Sequence, residues 1–179
     1  MSVKITYLVH GTTTDNETGK STGWAHGELS ELGIKQSKEL KDSIKNIDFE
    51  TVFCSDLKRA IDSANIAFKD EFKIIQDEKL RECNYGDLNE SDEHLVKYEN
   101  HINEVFPGGE SMKDVEKRIK LFLDYLKKEY DGKSIAIVAH KAPQLALEVL
   151  LNGKTWEQAI EEDWRKTKSY QPGWIYTVD

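Results

Sequence analysis

The run Ser134-Ile135-Ala136-Ile137-Val138-Ala139 is the most strongly apolar short stretch of the chain and shows no strict alternation. A strand with one wet face alternates apolar and polar residues, so this run is read as a strand buried on both faces. Such a strand needs parallel neighbours and helices on either side of the sheet. A second apolar run, Val3 to Val9, predicts another strand. Each run leads directly into a histidine, His140 after the one and His10 after the other. In a parallel sheet the C-terminal ends of the strands share one edge, where open α/β sheets bind ligands. One histidine at a strand end is more often structural than catalytic; two at one edge can face each other across a pocket.

The rest of the chain supplies the helices. Ser30 caps a predicted helix with Ile34, Leu40 and Ile44 at apolar positions. Thr51 to Cys54 reads as a short strand, and Ser55-Asp56 as the cap of a helix carrying Leu57, Ala60, Ile61, Ala64 and Phe68. A third short strand is expected at Phe72 to Ile75, followed by an irregular stretch, Leu80 to Leu88, broken at Gly86. Residues 87–107 are polar and charged and are read as a small surface insertion. Ser111 to Asp114 caps a long amphipathic helix with Val115, Ile119, Phe122 and Leu126 on one face. Pro143 opens a further helix, Thr155 to Gln158 forms a capping box, and Trp174 to Val178 is a closing strand. Strands alternating with helices imply a three-layer α/β sandwich, a mainly parallel sheet flanked by helices. At 179 residues one domain over 1–179 is expected. The closing strand is expected at a sheet edge, where a second copy can pair to form a homodimer.

Composition narrows the partners. The net charge is −8, with 38% hydrophobic residues, which argues against nucleic acid or an anionic membrane as a partner. No leader and no apolar run near the ~20 residues of a membrane span is read from the sequence. Cys54 and Cys83 lack CxxC or metal spacing and are expected to be reduced thiols, with a cytoplasmic location. His26, His94 and His101 are expected on the surface, Trp156, Trp164 and Trp174 in packing roles, and Trp24 either at the pocket mouth or in packing.

The edge then gathers an inventory. The strand Thr51 to Cys54 leads to Arg59, about one turn into its helix, and Leu80-Arg81-Glu82 brings a carboxylate. Two histidines, an arginine and a glutamate are what phosphoryl transfer needs: a nucleophile, cations for the phosphoryl oxygens and an acid for the leaving group.

Six segments in order resemble the histidine phosphatase superfamily, which includes the cofactor-dependent phosphoglycerate mutases. These are His10-Gly11-Thr12-Thr13 with Asn16; Leu29 to Gly33 with Gln36; Ser55 to Ala60; Leu80-Arg81-Glu82 with Tyr85-Gly86-Asp87; Pro107 to Ser111; and Val138-Ala139-His140. The resemblance implies a phosphoglycerate mutase-like fold and two-step phosphoryl transfer without a metal or other cofactor. His10 would become a phosphohistidine, Arg59 and His140 would hold the phosphoryl oxygens, and Glu82 would protonate the leaving alcohol. Gly11, Thr13 and Asn16 would line the phosphate pocket. The implied activity is hydrolysis of small phosphorylated metabolites. A phosphoglycerate mutase and a catalytically impaired phosphate-binding protein remain alternatives.

The last alternative rests on a departure. The family has an arginine directly before the nucleophilic histidine, whereas Val9 stands there in this chain. Losing one preorganised cationic donor is expected to cost ~3 kcal/mol of transition-state stabilisation, by analogy with oxyanion-hole deletions. Lys141 follows the second histidine in place of a frequent glycine. It reads either as replacement charge or, the simpler expectation, as a solvent-exposed lysine at a helix start.

Overall fold

The structure is a computed structural model that describes residues 1–169 and 173–179. In chain order its elements are β1 (Val3–Val9), α1 (Thr14–Glu17), β2 (Lys20–Ser21), α2 (Glu31–Ser43), β3 (Thr51–Cys54), α3 (Lys58–Phe68), β4 (Ile74–Gln76), β5 (Ser91–Asp92), α4 (Met112–Glu129), β6 (Ser134–Ala139), α5 (Lys141–Asn152), α6 (Trp156–Glu161), α7 (Trp164–Thr167) and β7 (Trp174–Val178). Short 3₁₀ turns fill the stretch between β4 and α4. The main sheet has the order β4-β3-β6-β1-β7. Its first four strands run parallel, and β7 pairs antiparallel with β1 at the edge.

The doubly buried reading of Ser134–Ala139 holds in detail. Ile135 and Ile137 enter the core under α4, α5 and α6, while Ala136 and Val138 enter the core under α2 and α3. All five residues from Ile135 to Ala139 are fully buried. β1 divides in the same way, with Ile5 and Tyr7 on one face and Leu8 on the other. The sequence is therefore a three-layer sandwich: helices, sheet, helices. Among the described residues no helix is long and apolar enough to cross a membrane.

Caps at the expected places fix the helix starts. Ser30 Oγ accepts from Gly33 N, and Ser111 with Asp114 and Thr155 with Gln158 close full capping boxes. Pro143 is the third residue of α5, inside the first turn where no intrahelical donor is lost. Three expectations are corrected. Ser55-Asp56 does not cap α3: the helix begins at Lys58 after Leu57, because the Ser55 hydroxyl instead accepts from Leu57 N at 3.2 Å and both Asp56 carboxylate oxygens accept from Arg81, from Nε and Nη2. The third strand is Ile74–Gln76 rather than Phe72 to Ile75, since Phe72 turns aside to pack on Phe49. Residues 87–107 are not simply surface. Their charged side chains face outward, but Tyr98, Ile102 and Phe106 are buried in the core. Through β5 the segment also ladders onto β2, so it stands beside the loop that follows His10.

Candidate active site

Register decides where the histidines go. β1 and β6 are parallel neighbours with Val9 level with Ala139, so the next residue of each strand is a histidine at the same height. His10 N donates to Ala139 O at 3.1 Å. The two rings lie 5.1 Å apart between centroids and are inclined at 58°.

His10 Nδ1 lies 2.7 Å from the Gly11 carbonyl oxygen. A carbonyl only accepts, so Nδ1 carries the hydrogen and Nε2 keeps its lone pair. Burial drives the His10 pKa down to about 3; the charge of Arg59 pushes the same way and the Gly11 carbonyl opposes it. Burial and then Arg59 hold His140 well below its ordinary value. Both imidazoles are therefore neutral at pH 7. Neither ring nitrogen of His140 has a hydrogen-bond partner among the described residues, although the residue is fully buried. Leaving such groups unpaired costs ~1–3 kcal/mol each, a debt that a polar ligand would cancel. The His140 backbone is fixed from both sides: Tyr7 Oη donates to its carbonyl at 2.6 Å and accepts from its N–H at 3.1 Å.

Arg59 comes from the first turn of α3 and is 2% exposed. Nη1 donates to Ala25 O at 3.1 Å and Nη2 to Gly23 O at 2.7 Å, so the loop after His10 wraps around the guanidinium. Burial lowers its pKa, against the opposing charge of Glu82. Glu82 sits before the N-terminus of α5. Oε1 accepts from Cys83 N, Ala142 N and Tyr98 Oη, and Oε2 accepts from Lys141 N, within 2.8–3.2 Å. Its backbone carbonyl accepts from Trp24 Nε1 and Arg118 Nη2. Trp24 thus positions the glutamate, with Arg81 stacked on its ring 4.6 Å away.

A cavity of about 740 Å³ brings His10, Arg59, Glu82 and His140 together, with Asn16 at its wall. Gly11 and Thr13, expected to line it, do not. Thr13 caps α1: its Oγ1 accepts from Asn16 N while its own N–H donates to Asn16 Oδ1. The Thr-x-x-Asn spacing is itself a capping pattern, so the signal was present. Gly11 is required by crowding, because a Cβ there would lie 2.4 Å from Gly33 O, and its carbonyl orients His10. Lys141, expected in solvent, instead lines the cavity with its ammonium 4.6 Å over the Tyr98 ring. His94, Trp164, Arg165 and Lys166 line the cavity as well. Sequence reasoning missed Tyr98, Arg118 and Arg165. Nothing in their local sequence separates them from other polar or packing residues. Among the described residues no three His, Cys, Asp or Glu side chains are placed to hold a metal ion.

The family model of the histidine phosphatase superfamily, branch 1, matches residues 6–171. The chain belongs to this superfamily. Phosphoserine phosphatase 1 of Hydrogenobacter thermophilus is 28% identical to it over 163 residues, 84% of this chain and 77% of that one. A 2,3-bisphosphoglycerate-dependent phosphoglycerate mutase of Cytophaga hutchinsonii is 32% identical over 146 residues, 73% of this chain and 68% of that one. Bacillus stearothermophilus YhfR shares the fold with a TM-score of 0.83 at 19% identity, over 99% of this chain and 91% of that one. The alpha-ribazole phosphatase of Shigella flexneri does so at 0.75 and 24%, over 90% and 84%. These relatives support phosphatase activity in the broad sense, and their names differ in substrate.

Proposed function

We propose that this histidine phosphatase superfamily member hydrolyses phosphate monoesters of small metabolites through His10, without a metal. The observation that carries the reading is the His10 tautomer: a neutral ring with Nδ1–H held by Gly11 O and a bare Nε2 beside the unpartnered ring of His140. Nε2 attacks phosphorus, the bond from phosphorus to the ester oxygen breaks, and Glu82 gives a proton to the leaving alcohol. Water then attacks the phosphohistidine, Glu82 takes back a proton, and the P–N bond breaks to release phosphate and neutral His10. Arg59 and a ring N–H of His140 hold the phosphoryl oxygens throughout. Fixed donors of this kind stabilise charge that develops in the transition state.

A mutase is the second reading, favoured by the Cytophaga relative. It would keep the phosphoryl group on His10 for a second acceptor and would depend on a bisphosphoglycerate. The deciding experiment is hydrolysis of p-nitrophenyl phosphate in EDTA by the wild type and His10→Ala. Turnover that vanishes in the variant is expected. Activity that survives in His10→Ala would refute the phosphohistidine route, and loss of wild-type activity in EDTA would refute metal independence. Phosphate binding without turnover of any ester would point to a binding protein.

A further inference from the structure

Charge at the reacting edge is unevenly supplied. Arg59 is the buried cation beside the histidines, and two of its N–H groups are committed to loop carbonyls. Glu82 lines the same cavity, both imidazoles are neutral, and the residue before His10 is Val9. A phosphate monoester carries about −1.5 to −2 charges at pH 7, more than the one charge of Arg59 balances.

The stretch around α7 holds one. The Asp163 side chain is completely buried between two cations. Oδ1 accepts from Arg165 Nη1 at 2.8 Å and from Arg165 N at 3.2 Å. Oδ2 meets Lys141 Nζ at 3.2 Å, as an ion pair without hydrogen-bond alignment. One carboxylate between two cations leaves this cluster with a net charge of +1, and it holds the Asp163 carboxyl below its ordinary value against the effect of burial. Arg165 is also braced from the side: its guanidinium lies 4.3 Å over the Trp164 ring. Among the described residues Nε and Nη2 have no protein acceptor, and the side chain lines the cavity of His10 and His140. Its charge is felt at both imidazoles, where it opposes protonation.

We infer that Arg165 is a second phosphoryl-binding cation, supplying from the C-terminal part of the chain the charge that Val9 does not, and that Asp163 is the residue that positions it. The inference rests on the reading of the cavity as a phosphoryl-transfer site. It gives Lys141 a part as well, since its ammonium neutralises the second half of Asp163 and frees the Arg165 charge to act on the ligand.

The test compares wild type, Arg165→Ala, Arg165→Lys, Asp163→Asn and, as a charge control outside the cavity, Lys168→Asn. Two readouts are taken: kcat/KM for p-nitrophenyl phosphate and the dissociation constant of inorganic phosphate from thermal shift. Arg165→Ala is expected to lose about 10²- to 10³-fold in kcat/KM, with weaker phosphate binding, and added guanidinium is expected to restore part of the lost rate. Asp163→Asn is expected to fall between that variant and wild type, and Lys168→Asn to match wild type. Turnover and phosphate affinity within threefold of wild type in a folded Arg165→Ala would overturn the inference, as would a wild type that binds no phosphate. A wild type that turns over no ester but binds phosphate through Arg165 would sink the phosphatase reading and leave the cation site standing.

Discussion

Removing the Tyr98 hydroxyl takes one of three donors from Glu82 Oε1 and leaves the buried Tyr85 hydroxyl, 2.7 Å away, without its partner. Tyr98→Phe is therefore expected to cost ~1–2 kcal/mol in urea unfolding and to lower kcat about three- to tenfold by loosening Glu82. Unchanged stability would show that water replaces the phenol at no cost. Site chemistry at this scale was legible where the residue type itself was unusual in its place. A histidine after a buried strand stands out; a tyrosine in a charged stretch such as Glu93 to Glu99 does not. Its role depends on Tyr98 folding inward against Glu82, a contact between residues 16 positions apart. Thr13 was misassigned for a different reason, since a polar side chain near a phosphate site and a polar side chain capping a helix look alike until the backbone is placed.

At the scale of elements, the loop after β1 and the start of α2 approach so closely that neither can carry a side chain. A Cβ on Gly33 would lie 1.9 Å from Thr12 O, a backbone atom one residue from the Gly11 carbonyl that orients His10. Gly33→Ala is expected to destabilise by ~1–3 kcal/mol and to depress kcat more than KM. Gly19→Ala is the comparison, with open space around it but a φ of +71°, so its cost is expected near 1 kcal/mol with no change in kcat. Equal behaviour of the two would show that the contact is not what places His10. β1, β6 and α4 were readable because length and periodicity determine them locally. β4 was placed two residues early at its start because a three-residue edge strand has too little pattern to set its own ends. The inward turn of residues 98–106 was not readable, since the core that receives Phe106 is built from distant elements.

Across the whole molecule, the two site histidines, His140 fully buried and His10 partly so, couple stability to pH. In the unfolded chain each binds a proton with a pKa near 6.5, whereas the folded chain resists protonation until far lower, about 3 for His10. Below pH 6.5 the unfolded state therefore binds more protons, and stability falls as pH drops, by up to ~1.4 kcal/mol per pH unit for each histidine. Urea midpoints measured from pH 7 to 4.5 without phosphate should show this slope. His140→Asn should flatten it by about one proton's worth, and an identical slope in the variant would contradict the assignment of a neutral His140. The field of −8 net charges makes the positive cavity wall a local exception rather than an extension of a basic surface.

Tyr7 gives that whole a division of labour. Its hydroxyl holds both the carbonyl and the N–H of His140, and its ring sits in the core beneath the sheet, edge-on to Tyr176. The floor of the site is thereby tied into the sheet, with the second histidine's peptide anchored to a core side chain. The walls are joined from loop to loop, by a ladder of two residue pairs between β2 and β5 and by single bonds such as Trp24 Nε1 to the Glu82 carbonyl. Were the site to adjust around a ligand, its walls would give before its floor, and the two imidazoles would keep their spacing.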